Sequence, residues 1–356
     1  MNGTYRVGLT NDSDSTPIAQ LPQNASMPDA VRYAFRSFDR QYVIADVRLM
    51  SRARPELWRA HSVCQIYLTS LLTKVLGAGP ALTASAHITD LDHFSGRGAK
   101  DTIPLYRVAD ASEANMHPAL LQLLGEHFHQ KVQPEDFLAY VYGVLAHPSF
   151  TSRFSKELET RELRVPITKD WSLFRQVRAM GAKLLWLHTY GERFVPEGKG
   201  RGAISPRKAK CIKAVPGDRE GYPESFSYNE ATRTLSVGDG KFSPVTTEVY
   251  EFEVSGLKVV QSWLKYRMKD GAGRAGSPLN EIRPQRWTAQ FTTEFLELLW
   301  ILEATVETYP EQAKLLDEVI QGDLFQADEL PPVLAQMRKP PRTKDDESGE
   351  LEFDTV

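Results

Sequence analysis

Residues Gly271–Gly276 read GAGRAG and satisfy the G-x-G-x-x-G spacing of a dinucleotide-phosphate loop. The fold class turns on whether they form one. Such a loop follows a buried strand and opens a crossover helix, with an acidic residue about 20 positions further on. The residues before it, WLKYRMKD (263–270), mix apolar with basic side chains, unlike the continuous apolar run of a buried parallel strand. The residues after it, SPLNEIRP (277–284), hold two prolines and cannot start a long helix. The glycines therefore read as a surface turn between charged ends, and the doubly wound nucleotide-binding fold drops out.

Working outward, the flanking patterns predict a mixed α/β (α+β) protein. VRYAFRSFDRQYVIADVRL (31–49) is rich in aromatic and β-branched residues and reads as strands around a turn. VCQIYLTSLL (63–72) and ALTASAHI (81–88) extend that β-prone region. After Asn115 the apolar spacing becomes helical in HPALLQLLGEHFHQK (117–131), PEDFLAYVYGVLAHPSFTSRFSKEL (134–158) and DWSLFRQVRAMGAKLLWLHTYGERF (170–194). Pro134 with Glu135 and Asp136 makes a good helix start, and Asp170 is a candidate N-cap. FSYNEATRTLSVGDGKFSPVTTEVYEFEVSG (226–256) has short β-prone runs between turns and reads as a meander. TTEFLELLWILEATVETYPEQAKLLDEVIQG (292–322) reads as a closing helix. Residues 1–28 are a polar lead-in, 29–330 the ordered domain with a possible subdivision near 192–220, and 331–356 an acidic tail expected to be disordered.

The bulk numbers favour no enzyme class. The 356-residue chain is 41% hydrophobic with net charge −3, so any nucleic-acid partner must be read from local charge. Two cysteines, Cys64 and Cys211, without a C-x-x-C pair fit a reducing compartment and argue against a cysteine-held metal. No run of 18 apolar residues and no signal-peptide pattern occur, which predicts a cytoplasmic protein with no membrane segment.

Catalytic motifs fare poorly. G-x-S-x-G, the P-loop pattern and the Asn/Asp-Pro-Pro-aromatic motif of amino-methyltransferases are absent. HITDLDHF (87–94) gathers His87, Asp90, Asp92 and His93, which could serve a metal-dependent hydrolase, but a turn in which Asp90 or Asp92 caps local amides explains it as well. His127 and His129 sit at a helix end, where cations suit the dipole. Asp170 with Glu197-Gly198-Lys199 mimics a nuclease spacing that arises easily by chance.

Three glycine-containing loops carry clustered cations instead. They offer Arg97 and Lys100 with Arg107, then Lys199, Arg201, Arg207, Lys208 and Lys210, then Arg267, Lys269 and Arg274 with Lys265. The segment 192–219 holds eight Lys/Arg against three acids, a local charge of +5. Glycine lets backbone amides approach phosphate closely, while Lys and Arg supply counter-charge and base-edge donors.

Longer strings carry a resemblance. YAFRSFDRQYVIADVRLMSRARPELWRAHS (33–62), DLDHFSGRGAKDTIPLYR (90–107), PEDFLAYVYGVLAHPSFTSRF (134–154), LRVPIT (163–168), LLWLHTYGERF (184–194), ATRTLSVGDGKFSPVTTEVYEFEVSGLKVVQSWLKYRMKD (231–270) and LNEIRPQRWTAQFTTEFLELL (279–299) occur in this order. Together they resemble the C-terminal specificity domain of type ISP restriction-modification enzymes. The resemblance implies a target-recognition domain that binds double-stranded DNA. It would present the duplex to an adenine-N6 methyltransferase and a helicase/nuclease, fused or separate, in a bacterial cytoplasm. S-adenosylmethionine, ATP and Mg are then expected only in those partner modules, with no cofactor and no metal on this chain. Its candidate DNA-binding residues are the ten cations of the three loops, Arg107 and Lys265 excepted, and no residue is assigned a catalytic role. A different class of reading is a protein-interaction module that regulates a methyltransferase or helicase through exposed apolar helix faces such as LLWLHT (184–189) or FLELLWIL (295–302).

Overall fold

The computed structural model describes residues 29–45, 54–71, 76–94, 101–160, 163–269 and 286–334. The lead-in, most of the acidic tail and GAGRAG lie outside them.

Alternation in the first stretch yields an antiparallel hairpin, β1 (Ala30–Arg36) with β2 (Asp39–Ile44), pairing Ala30 with Ile44 and shifting register after Ala34. A short helix α1 (Pro55–Arg59) follows. Then β3 (Tyr67–Ser70), β4 (Leu82–Ser85) and β5 (Asp101–Pro104) form a three-stranded antiparallel sheet with β3 in the middle. Strands β3 and β4 are buried at every position, so they sit inside the protein rather than on it. Backbone bonds from Ala34 to Ile88 and from Ser37 to His93 tie the hairpin to the turn at 87–94.

The helices start where the chain offers proline or a short polar cap. Pro118 opens α2 (Pro118–Phe128), Pro134 opens α3 (Pro134–Leu145) and Pro148 opens α4 (Pro148–Arg153). The Asp170 carboxylate accepts from the Leu173 amide at the start of α5 (Trp171–His188), as an N-cap should. Helices α3 and α5 pack closely because glycines face the contact. A Cβ on Gly181 would lie 1.7 Å from the Ala139 carbonyl oxygen, and one on Gly143 2.4 Å from that of Val177.

The second half supplies a four-stranded antiparallel sheet of β6 (Lys210–Lys213), β7 (Phe226–Asn229), β8 (Thr234–Val237) and β9 (Gly240–Ser243), in the order β6-β9-β8-β7. A small helix α6 (Thr247–Tyr250), a two-residue pairing of β10 (Glu253–Val254) with β11 (Leu257–Lys258) and helix α7 (Val259–Lys265) follow. Two long helices, α8 (Ala289–Val306) and α9 (Tyr309–Gln321), come last.

Two predicted helices are each divided. The 134–158 run breaks at His147-Pro148, and the 292–322 run breaks at Thr308. In each, a proline without an N–H opens the second piece while the apolar spacing continues across it.

Burial resolves into two main cores joined along α5. Tyr140, Tyr142, Leu145 and Phe174 lie in the first with Leu184 and Leu185, while Trp186 and Leu187 lie in the second with Leu235, Phe242, Trp263 and Phe295. At that junction the His188 ring meets the Tyr142 hydroxyl at 2.6 Å and the Thr305 hydroxyl at 2.9 Å. Thr305 donates its own proton to the Ile301 carbonyl. His188 Nε2 therefore donates to Thr305 and Nδ1 accepts from Tyr142, a neutral ring. Burial pushes its pKa down to about 3.

The apolar faces proposed for protein docking are used inside. Leu184, Leu185 and Leu187 are buried, as are Phe295, Leu298, Leu299 and Leu302. Among the described residues no helix is long and apolar enough to cross a membrane.

Candidate nucleic-acid interface

The cationic segment 192–213 leaves the C-terminal end of α5 through a tight turn. Gly191 has φ of +76° and a hypothetical Cβ would lie 3.0 Å from the Ala203 amide nitrogen, so glycine is needed there for two reasons. The Gly202 amide closes the loop onto the Gly191 carbonyl at 2.9 Å. Lys199 and Arg201 are thus presented on a loop with a fixed base rather than on a long tether.

Glu192 organises that base. Its carboxylate meets His87 Nε2 at 3.1 Å, Arg193 at 3.5 Å, Arg201 at 3.9 Å and Arg40 at 4.0 Å. Partial burial alone would raise its pKa, but the His87 hydrogen bond and the Arg193 and Arg40 charges together hold it below the usual carboxylate range. Arg193 itself is buried and donates to the carbonyls of Gln65 (2.7 Å), Ser62 and Ala86 (both 3.3 Å), which locks the loop's start to the first sheet region.

The ten sequence-derived cations separate by environment. Lys199 holds its ammonium 4.4 Å above the Trp186 ring, on an exposed residue. Arg201 is 49% exposed, and Lys210 is exposed at the start of β6. Arg207 and Lys208 are tethered to α8. Arg207 pairs with Glu307 and lies 3.8 Å from Glu303, and Lys208 Nζ reaches Glu307 at 3.3 Å. The Arg207 hydrogen bond keeps the Glu307 carboxyl below its usual range. Buried Glu303 also accepts from the Lys208 and Ala209 amides at 3.0 and 2.9 Å, so this part of the segment is pinned by its backbone. Lys269 pairs with Glu224 at 2.5 Å.

Arg267 needs a correction. Its side chain is 4% exposed, grips Asp39 with two hydrogen bonds of 2.8 and 3.1 Å, and lies 3.6 Å over the Trp263 ring. A guanidinium enclosed in this way is not available to a duplex, and its work is to join α7 to the hairpin. Arg97, Lys100 and Arg274 lie outside the described residues.

Local pattern missed a set of arginines in the hairpin. Arg32 pairs with Glu294 at 2.9 Å and stacks over Tyr42, Arg40 pairs with Glu297 at 3.0 Å and stacks over Tyr190, and Arg36 donates to the Tyr266 hydroxyl at 2.6 Å. They clip β1 and β2 to α8 and to the end of α7. The signal available in sequence was the interleaving of Arg with aromatics in VRYAFRSFDRQY (31–42), which suits cation–π stacking as well as any ligand.

The HITDLDHF turn also resolves. The Asp90 carboxylate accepts from the Asp92 amide at 2.7 Å, and His93 Nε2 meets the Thr83 hydroxyl at 3.1 Å in a buried setting. No group of three or more His, Cys, Asp or Glu side chains among the described residues is arranged to hold a metal ion.

Comparison with known proteins gives a consistent result. The family model described as "Type ISP C-terminal specificity domain" matches residues 7–298. No curated protein matches. Among solved structures, the chain resembles the "cryoEM structure DrdV-DNA complex" with a TM-score of 0.59 and 16% identity, over 80% of this chain and 28% of that one. It resembles "ATP-dependent Type ISP restriction-modification enzyme LlaBIII bound to DNA" with a TM-score of 0.59 and 13% identity, over 86% and 19%. A nuclease-deletion mutant of the Type ISP enzyme LlaGI, in complex with a DNA substrate mimic, gives 0.52 and 14%, over 82% and 21%. At these identities it is the fold that is shared, and the chain spans less than a third of each neighbour. With more than half its length matched by the family model, the chain belongs to the Type ISP C-terminal specificity domain family.

Proposed function

We propose that this chain recognises double-stranded DNA as the specificity module of a restriction-modification enzyme. What carries the reading is a coincidence on one chain. A specificity-domain match over residues 7–298 includes an exposed cationic segment that a tight turn and the buried Glu303 carboxylate hold in place. Held cations suit recognition, because phosphate contacts set register only if the groups making them are themselves positioned. Lys199, Arg201 and Lys210 would neutralise phosphates, with Arg207 and Lys208 beside them already oriented by Glu307. Base edges would be read by side chains of the same surface. An adenine methyltransferase and an ATP-dependent helicase/nuclease would be supplied by other modules of the enzyme, which would also hold S-adenosylmethionine, ATP and Mg. A cytoplasmic setting follows from a DNA target.

The test is selection from a random duplex library by the purified chain, followed by affinity against salt. Recovery of one motif is expected. Each lost phosphate contact should flatten the slope of log K against log salt by about 0.9. The pair Lys199→Ala with Arg201→Ala should therefore remove about one to two units of slope, since Glu192 holds Arg201 only loosely at 3.9 Å. The pair Arg207→Ala with Lys208→Ala should remove less than about one, since internal acids already offset their charge. A chain that binds no duplex even at low salt would end this reading and favour regulation through protein contacts.

A further inference from the structure

The outward face of the four-stranded sheet differs from most of the cationic surface described above. Its inward side is fixed by Leu235, Val237 and Phe242, all fully buried in the second core. Side chains alternate along a strand, so the opposite set points outward; in β6 the register shifts by one residue between Cys211 and Lys213, which puts Lys213 on the face of its partner Lys241. Register then assembles two rows across the sheet. Lys213 lies opposite Lys241, which is opposite Ser236, which is opposite Ser227. Lys210 lies opposite Ser243, with Thr234 and Asn229 continuing the second row, and the Thr234 and Ser243 hydroxyls are 3.5 Å apart.

Strands β6 to β9 contain Lys210, Lys213 and Lys241 and neither Asp nor Glu. All three lysines are exposed, and none makes an ion pair with a described residue. The loop cations Arg201, Arg207, Lys208 and Lys269 each face a carboxylate. Like charges directly opposite on paired strands destabilise a sheet, so the Lys213–Lys241 register is unfavourable until an anion lies across it. The acids nearest in sequence sit in turns: Asp239 between β8 and β9, and Glu230, which accepts from the Thr247 hydroxyl. Lys210 belongs both to this face and to the 192–213 segment, so the two surfaces are continuous.

We propose that this sheet face, with Lys213 and Lys241 at its centre, is a second contact for the DNA duplex backbone. The inference rests on the duplex-binding reading above and extends it from a loop to a rigid plane. Strand spacing of about 4.8 Å sets the two lysines side by side, and row spacing of about 7 Å brings hydroxyls within reach of the same phosphodiester strand. Asn229 at the edge of the face turns its side-chain oxygen to the Thr232 amide, and the rest carries short hydroxyls and lysines rather than guanidinium forks, so the face grips the backbone more than it reads sequence.

The experiment compares the wild-type chain with Lys213→Gln/Lys241→Gln on one mixed-sequence duplex across a salt series. The expected result is a slope flatter by roughly two units, with the motif recovered from a random library unchanged. Lys213→Arg/Lys241→Arg should restore the slope, and Ser236→Asp, which places a carboxylate in the lysine row, should weaken binding without touching either lysine. A distant control, Lys131→Gln/Lys314→Gln, should leave the slope as it is. Wild-type binding with a slope indifferent to the sheet variants, or an equal loss in the control, overturns the sheet face and leaves the loop reading standing. Absence of any wild-type binding at low salt overturns both. Should the double Gln variant fail to fold, the Arg pair and Ser236→Asp decide the matter on their own.

Discussion

Two groups of cations in this protein look alike in sequence and behave oppositely in the fold. Around the hairpin, Arg36, Arg40, Arg193 and Arg267 turn inward, and their partners are carboxylates, carbonyls and ring faces brought from distant segments. Along 199–213 and the sheet beyond it, the cations stand at the surface on a backbone that is itself pinned. The difference lies in what the neighbouring chain supplies. Arg193 and Arg267 are buried and Arg36 and Arg40 half-buried, so their pairs are costlier to break than surface pairs and hold elements together. Outward lysines lie in solvent and contribute little to stability, which leaves them free to act on a partner.

The sharpest way to break this comparison is at the Arg267–Asp39 pair. Arg267→Ala would leave the Asp39 carboxylate, 1% exposed, without its cationic partner, with Gln41 still donating to it at 3.2 Å. Loss of one member of a buried pair destabilises by about 3–5 kcal/mol. Urea unfolding should show a loss of that order, and the combined Arg267→Met/Asp39→Asn variant should lose less because no buried charge is orphaned. A loss under about 1 kcal/mol for Arg267→Ala would show that the pair does not hold the hairpin to α7.

A second, smaller effect comes from the buried histidine at the junction of the cores. The His188 pKa in the folded chain is about 3, against an ordinary value near 6.5. The unfolded chain therefore binds the extra proton first as pH falls. The neutral ring's contribution is intact above pH 6.5 and is lost progressively toward pH 3. Between pH 6.5 and 5 the loss should be about 2 kcal/mol from this residue. His61 and His147, both held near 4 chiefly by burial, add to it in the same direction. Thermal unfolding followed across that range should show the melting temperature falling. A flat profile would mean that His188 is charged or solvated in the native state.

These expectations also mark how far the sequence could be read. The hairpin was legible in the alternation of 31–44, and the start of α5 in Asp170, because both are local patterns. The breaks at Pro148 and Pro310 were not, since apolar spacing runs straight through them and masks the proline signal. Residue types at the candidate interface were legible as well, but their environments were not. Glu294, Glu297, Glu303 and Glu307 are visible in sequence only as acids spaced along one helical run, yet they meet Arg32, Arg40, Lys208 and Arg207, the first of these 262 positions away. Register across β6 to β9 is likewise a property of strand pairing, so Lys213 and Lys241 were visible as lysines and invisible as a pair.

The smallest expected effect falls where the two groups meet, at Glu307. This half-exposed carboxylate pairs with Arg207 and Lys208, so it belongs to the surface side of the comparison. Glu307→Gln should change stability by less than about 1 kcal/mol, as exposed ion pairs do. Its effect on a duplex should be opposite in sense and easier to see. With the carboxylate gone, Lys208 loses its acidic partner and Arg207 keeps only Glu303, so affinity at low salt should rise and the salt slope should steepen by up to about one unit. If affinity falls instead, Glu307 is needed to orient the two cations, and the loop works through geometry more than through charge. The sign of that single change separates a segment that is merely basic from one whose cations are aimed.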